Sequence, residues 1–201
     1  MLAIVQAGCQ SDPGQAVGNF WGSYQAEIYR NDFFGFDVRI PAGWVLQDTA
    51  ASQALARNMQ RKLMDPDSTT LEIPFAAQLL TAYKYPVGAS VTFNPSAQIV
   101  AERIDQEKGV TDEHAYLAGV RRLLEETPLE YTFPEDPYST RMGQRDFVVL
   151  ETDLYLGDLL TRQMYYITIE KEYALGFVLS FASKEQRDEL EQLFLETLAF
   201  N

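Results

Sequence analysis

The chain is poor in the residues that most often carry chemistry, with one cysteine and one histidine among 201 residues. A single cysteine leaves no partner for an intramolecular disulfide, so stability must come from a buried core. One histidine, His114, and one remote thiol, Cys9, cannot assemble a zinc site of the usual nitrogen and sulfur type. A Cys-His catalytic pair would have to bring those two positions together, and no Gly-x-Ser-x-Gly elbow offers a serine nucleophile. There is no glycine-rich loop followed by lysine to cradle a phosphate. Long hydrophobic runs are missing as well, since no stretch approaches the roughly 20 apolar residues of a membrane-spanning helix. Basic residues are the scarcer charge, 16 against 29 acidic, and the formal net charge of -13 repels nucleic acid and anionic lipid headgroups. No nucleic-acid partner and no cofactor are expected, and membrane contact is expected only through a lipid anchor.

What is present suits one folded unit. Hydrophobic residues make up 46% and aromatics 12%, and a chain of this length buries about 70% of its unfolded surface in a single domain. Ahead of that domain, Ala7-Gly8-Cys9 resembles the end of a bacterial lipobox, where small residues precede a cysteine that is lipidated. Gln6 stands where that motif usually has Leu, and residues 2–5 are far shorter than the apolar stretch of a signal peptide. The reading is a lipidated Cys9 whose leader is truncated; the alternative is a free cysteine in a frayed terminus. Residues 10–19 are small, polar and rich in turn formers, as a tether should be. The expected division is a signal remnant and tether over 1–23 and a single domain over 24–201.

The most informative stretch is 29–44. Phe34, Phe36, Val38 and Ile40 alternate with Gly35, Asp37 and Arg39, the period of a half-buried strand. Asn31-Asp32 before it form a turn; Pro41 and Gly43 after it supply a stop. Trp44 then falls across the open end of the core as a packing residue. Residues 24–30 read as a strand pairing with this one in a hairpin.

Further along, Ala51, Leu55, Met59 and Leu63 recur at helical spacing behind a cap at Asp48 or Thr49. Strands follow over 75–85 and 98–104. A second helix starts at Thr111 or Asp112 with an apolar stripe of Tyr116, Leu117, Val120, Leu123 and Leu124, and stops before Pro128. Runs at 145–156, 160–171 and 173–182 form an antiparallel meander with tight connections. In the last run Ala174, Gly176, Ser180 and Ala182 share a face with room for close packing. Ser183 and Gln186 form a capping box for a final helix burying Leu190, Leu193, Phe194 and Leu198. The fold class is α+β: an α/β/α sandwich around a mostly antiparallel central sheet.

The Tyr29-x-Asn31 to Gly35-Phe36 to Pro41-x-x-Trp44 run, with the late glycine turn Met142-Gly143-Gln144, the meander and the Leu198-Ala199-Phe200 ending, resembles the PsbP-like superfamily. That group is named for the extrinsic lumenal subunit of photosystem II and shares its sandwich with a Ran-release factor and with bacterial lipoproteins. The resemblance covers roughly 24–200. It implies a fold without a common chemistry, used for binding protein partners, stabilising assemblies or chaperoning hydrophobic segments.

Other candidate sites are few. His114 falls in the first turn of a helix and reads as solvated. The carboxylate pairs Asp65 and Asp67, Glu125 and Glu126, and Glu135 and Asp136 lack the loop spacing of a calcium site and read as solvated charge, so no metal is expected. The favoured function is a non-catalytic, extracytoplasmic binding or assembly module, anchored through Cys9 on the periplasmic face of the envelope; it would be cytoplasmic if Cys9 is not lipidated. The alternative is a soluble chaperone or adaptor whose small-residue face, or the apolar 75–80 run, receives a partner's hydrophobic helix. A hydrolase would need two facing carboxyl groups in a deep cleft.

Overall fold

The structure, a computed structural model, describes residues 20–47, 76–104 and 109–201. Its frame is the meander β9 (Arg145–Leu156), β10 (Leu159–Glu170) and β11 (Tyr173–Phe181). Gly157 at φ 63° turns the first connection, and Lys171 and Glu172 at φ 50° and 66° turn the second. Both are two-residue connections whose left-handed backbone matches the strand twist. Every residue of β11 is buried, because it lies at the centre of the sheet with both faces covered.

The sheet runs β4 (Val45–Leu46), β5 (Ala76–Tyr83), β6 (Ser96–Arg103), β11, β10, β9, and every pairing is antiparallel. On the outer side of β9 two short strands share one edge: β7 (Glu130–Thr132) against Asp153, Leu154 and Tyr155, and β8 (Tyr138–Met142) against residues 145–149. Neither is expected from the sequence. The strands expected over 75–85 and 98–104 are β5 and β6, and Phe75 lies outside the described residues.

A second, smaller antiparallel sheet is made of β1 (Ser23–Gln25), β2 (Ile28–Asn31), β3 (Phe36–Arg39) and β12 (Ala199–Phe200). The expected single strand over 24–30 is therefore a hairpin of its own, broken at Ala26 and Glu27, both at positive φ. The alternation in the next segment holds: Phe34, Phe36, Val38 and Ile40 are all buried. Asn31 does more than turn the chain. Its amide nitrogen donates to the Phe20 carbonyl at 2.9 Å and to the Tyr29 hydroxyl at 3.2 Å, while its oxygen accepts from the Phe34 backbone N–H at 3.0 Å. A fully buried amide with its hydrogen bonds made locks the segment in place.

An aromatic layer joins the two sheets. Phe36 meets Phe177 edge to face at 5.4 Å, and Phe20 and Phe34 approach Tyr173 at 5.6 and 5.7 Å. Each fully buried Phe contributes about 1.5–3 kcal/mol of transfer free energy. Phe20 and Trp21 belong to this core, so the folded domain includes residues ahead of the expected boundary at 24. The reason is chemical: two adjacent aromatics have far more to gain from burial than a polar linker has.

Helix α1 (Glu113–Glu125) covers the opposite face of the large sheet, capped by Asp112, whose carboxylate accepts from the Ala115 N–H. Leu117 fills a second core with Val148, Leu150, Ile167 and Ala174. Leu123, expected in the apolar stripe, is instead 65% exposed. Helix α2 (Lys184–Leu190) starts at the Ser183 cap, as expected, and continues as a π-helical turn, Glu191–Leu195, closed by a bond from the Glu196 N–H to the Glu191 carbonyl at 3.2 Å. Leu190, Phe194 and Leu198 are buried. The helix stops short of Leu198-Ala199-Phe200, however, and Ala199–Phe200 pairs with β3. Trp44 packs edge-on against Phe194 at 5.3 Å, half-buried at the margin of the core. The helix expected from Ala51 to Leu63 lies outside the described residues. The layers are thus α1, the large sheet, and then the small sheet with α2: a helix-flanked antiparallel sandwich of the expected α+β class.

Candidate functional site

Between β8 and the end of α2 lies an open cleft of about 500 Å³. One wall is β8, where the two-residue alternation turns Tyr138, Thr140 and Met142 to the same side. Tyr166 of β10 also lines it. The other wall is α2 and its π-helical turn, which contribute Arg187, Glu191, Leu195 and Glu196. The wider i to i+5 turn rotates the residues after Glu191 away from α-helical positions, a deviation often seen where a helix serves a surface. One end is closed by Gly143 against Leu198. A β-carbon on Gly143 would stand 2.9 Å from the Leu198 carbonyl oxygen, and its φ of +52° also favours glycine.

The polar groups of the cleft satisfy one another. Arg187 Nε donates to Glu191 Oε1 at 3.0 Å, and its guanidinium reaches Glu151 on β9 at 3.8 Å. Tyr138 donates to Glu151 and Tyr166 to Glu191, each at 2.8 Å. Burial, then the adjoining carboxylates, push both phenols well above the ordinary tyrosine range. Burial works against the charge on Arg187, yet the bond and charge of Glu191, with Glu151 beside it, raise its pKa. The phenols stay protonated donors near neutrality, and the guanidinium stays charged. Neither is poised to exchange a proton there, so the arrangement is one that holds shape and offers hydrogen bonds.

The guanidinium thus contacts both carboxylates, Glu191 and Glu151.

The residues singled out in the sequence fall elsewhere. Cys9, Asp65 and Asp67 lie outside the described residues. His114 is exposed on the first turn of α1. Glu125 and Asp136 flank Arg121 at 3.1 and 3.6 Å, while Glu126 caps α1 and Glu135 is exposed. Among the described residues no group of three or more His, Cys, Asp or Glu side chains could hold a metal ion. The small-residue face is not open to a partner. Ala174, Gly176 and Ser180 are buried, Ala174 beneath α1, and a β-carbon on Gly176 would lie 2.9 Å from side-chain atoms of both Ile167 and Val100. Those residues serve packing within the chain, which removes one of the two surfaces named for the chaperone reading; in the other, 75–80, Leu79 and Leu80 are buried and Phe75 lies outside the described residues.

None of the polar residues that pair in the cleft is marked by sequence spacing, although Met142, Gly143 and Leu198, which also line it, belong to the late motif that carries the resemblance. Tyr138, Glu151, Tyr166 and Arg187 come from four different elements. The one local signal is the i, i+4 pair Arg187 and Glu191 on α2.

No protein-family profile matches the chain, and no curated protein matches it by sequence. Solved structures do. The cyanobacterial PsbP of Synechocystis sp. PCC 6803 superposes with a TM-score of 0.54 at 11% identity, over 90% of this chain and 98% of that one. LpqN of Mycobacterium tuberculosis, involved in cell envelope biogenesis, gives 0.44 at 13% identity over 83% of each chain. PA94 of Pseudomonas aeruginosa, a protein of unknown function, gives 0.38 at 12% identity over 82% of this chain and 88% of that one. The fold is PsbP-like. Among the described residues no helix is long and apolar enough to cross a membrane.

Proposed function

We propose that this PsbP-like domain is a non-catalytic binding or assembly module, held on the extracytoplasmic side of a membrane by a lipid on Cys9, and that the cleft beside β8 receives its protein partner. The observation that carries the reading is the internal pairing of Arg187, Glu151, Glu191, Tyr138 and Tyr166 in an open cleft. Fixed donors and acceptors around a partly apolar hollow suit recognition. The anchor rests on Ala7-Gly8-Cys9 and the polar stretch after it. Each buried CH₂ of an acyl chain contributes about 0.8 kcal/mol, so a multiply acylated cysteine holds a domain at a membrane without help from its surface.

Two measurements test this. Expression from the full upstream reading frame should give labelled-palmitate incorporation that Cys9→Ala abolishes; no label, or label that survives the change, overturns the anchor. A photocrosslinking residue at exposed, cleft-lining Glu196 should trap one discrete protein in cells, whereas the same group at His114 should not. Equal or absent adducts at the two positions overturn the assignment of the cleft.

A further inference from the structure

Strand β8 is an outer strand, paired with β9 and with no other described strand. Met142 and Arg145 face each other across a two-residue turn at Gly143 and Gln144, both at positive φ, and so form the hydrogen-bonded closing pair of the hairpin. In an antiparallel ladder bonded and non-bonded pairs alternate, which makes Thr140 and Tyr138 the next bonded residues. Ser139 and Arg141 therefore direct their N–H and C=O groups away from β9, and both residues are exposed. This leaves two donor and acceptor sets about 6.8 Å apart, the spacing of alternate residues on an added antiparallel strand.

The charges beside that edge are unbalanced. Arg141 is matched by Asp146. Arg187, by contrast, faces both Glu151 and Glu191, and the cleft-lining Glu196 has no cationic partner among the described residues. Arg141 and Arg187 line the cleft together with Glu191 and Glu196, and the carboxylates of Asp146 and Glu151 beside them bring the total to four against two guanidiniums, next to the apolar side chains of Met142, Leu195 and Leu198.

We infer that β8 takes an extended, basic segment of a partner protein by strand addition: its backbone bonds to Ser139 and Arg141, and a lysine or arginine enters the cleft beside Glu191 and Glu196. The inference rests on the reading of the cleft as the partner site and names the chemistry of what binds there. An anionic lipid surface does not fit, because both the cleft and the chain as a whole, at -13, are negatively charged. A helical ligand satisfies its own backbone and leaves Ser139 and Arg141 unused.

The test is a titration of the nitrogen-15-labelled domain with a blocked heptapeptide of alternating threonine and lysine, followed through the backbone amides. Saturable shifts centred on Ser139 and Arg141 are expected. Glutamate in place of lysine, or N-methylation of alternate peptide amides, should weaken binding by about tenfold or more. Ser139→Pro removes an outward-facing N–H and leaves the bonds to β9 in place, so it should weaken binding to the same extent. Should that variant not fold, Glu196→Gln provides the second arm and should weaken the lysine peptide alone. Absence of saturable shifts, shifts centred elsewhere, or unchanged affinity for Ser139→Pro or for the N-methylated peptide overturns strand addition. A Glu196 crosslink that persists alongside such a result leaves the partner-site reading standing and removes only the strand.

Discussion

Gly143 and Leu198 touch backbone to backbone: the turn between β8 and β9 presses on the chain 55 residues later, with only 2.9 Å left between the position of a β-carbon and the Leu198 carbonyl oxygen. The carbonyl belongs to the segment that leads into β12, so it cannot swing aside without unpairing Ala199–Phe200 from β3. Gly143→Ala combines this contact with an unfavourable φ of +52°. The expected result is a loss of about 2–3 kcal/mol in denaturant unfolding, with an unchanged m-value. Destabilisation below about 0.5 kcal/mol would show that the turn relaxes freely.

Asn31→Ala should be among the most damaging polar changes. It leaves the Phe20 carbonyl and the Phe34 N–H without their partner in a fully buried place. A loss of about 2–4 kcal/mol is expected from denaturant titration. Asn31→Asp keeps the acceptor for Phe34 but loses the amide donors to the Phe20 carbonyl and the Tyr29 hydroxyl, and should be destabilised as well.

Arg187→Met removes the cation shared by Glu151 and Glu191. All three side chains are partly open to solvent, which reduces the effect to about 1–2 kcal/mol. The double change Arg187→Met with Glu191→Gln should destabilise less than the sum of the two single changes. Additive losses in a double-mutant cycle would mean that the pair is not energetically coupled.

Alkali should unfold the domain through its tyrosines. Burial is the main cause that lifts Tyr29, Tyr116, Tyr165 and Tyr166 well above the ordinary value of 10.0; Glu102 adds to it at Tyr116 and Glu191 at Tyr166, while the Asn31 hydrogen bond opposes it at Tyr29. The folded state therefore holds protons that the unfolded state releases. Their stabilisation is complete below pH 10 and declines as pH rises through and beyond it, by at most about 1.4 kcal/mol per pH unit for each such group. Tyrosinate absorbance should show these phenols titrating together with loss of the circular dichroism signal. Early, reversible titration of all tyrosines in the folded protein would contradict their burial.

Much of the sandwich is legible in the residues. A two-residue period survives wherever one face of a strand meets the core, as at Phe34, Phe36, Val38 and Ile40. The Ser183 cap is equally plain, since its chemistry is local. What hides is set by distant partners or by backbone conformation. Ala26 and Glu27 turn the chain at positive φ although neither type favours it, so the first hairpin is not marked. Leu198 continues the helical spacing of Leu190 and Phe194, which conceals the end of the helix and the strand after it. Leu123 lies at the margin of a stripe whose centre is Leu117, and a helix face has no sharp border in sequence. The cleft is least visible of all, because Tyr138, Glu151, Tyr166 and Arg187 converge only once the sheet and α2 have packed.

Pairing of Ala199–Phe200 with β3 fixes when this domain can finish folding. The Arg39 N–H bonds to a threonine hydroxyl 158 positions later in the chain, at Thr197. At roughly 5–20 residues per second, translation delivers that last strand on the order of ten seconds or more after the first. Until then Phe36 lacks its neighbour Phe200 and the small sheet stands open at one edge. Completion of the small sheet thus waits until Ala199–Phe200 has left the ribosome, and before that the nascent chain offers an open edge to whatever machinery handles unfinished polypeptides.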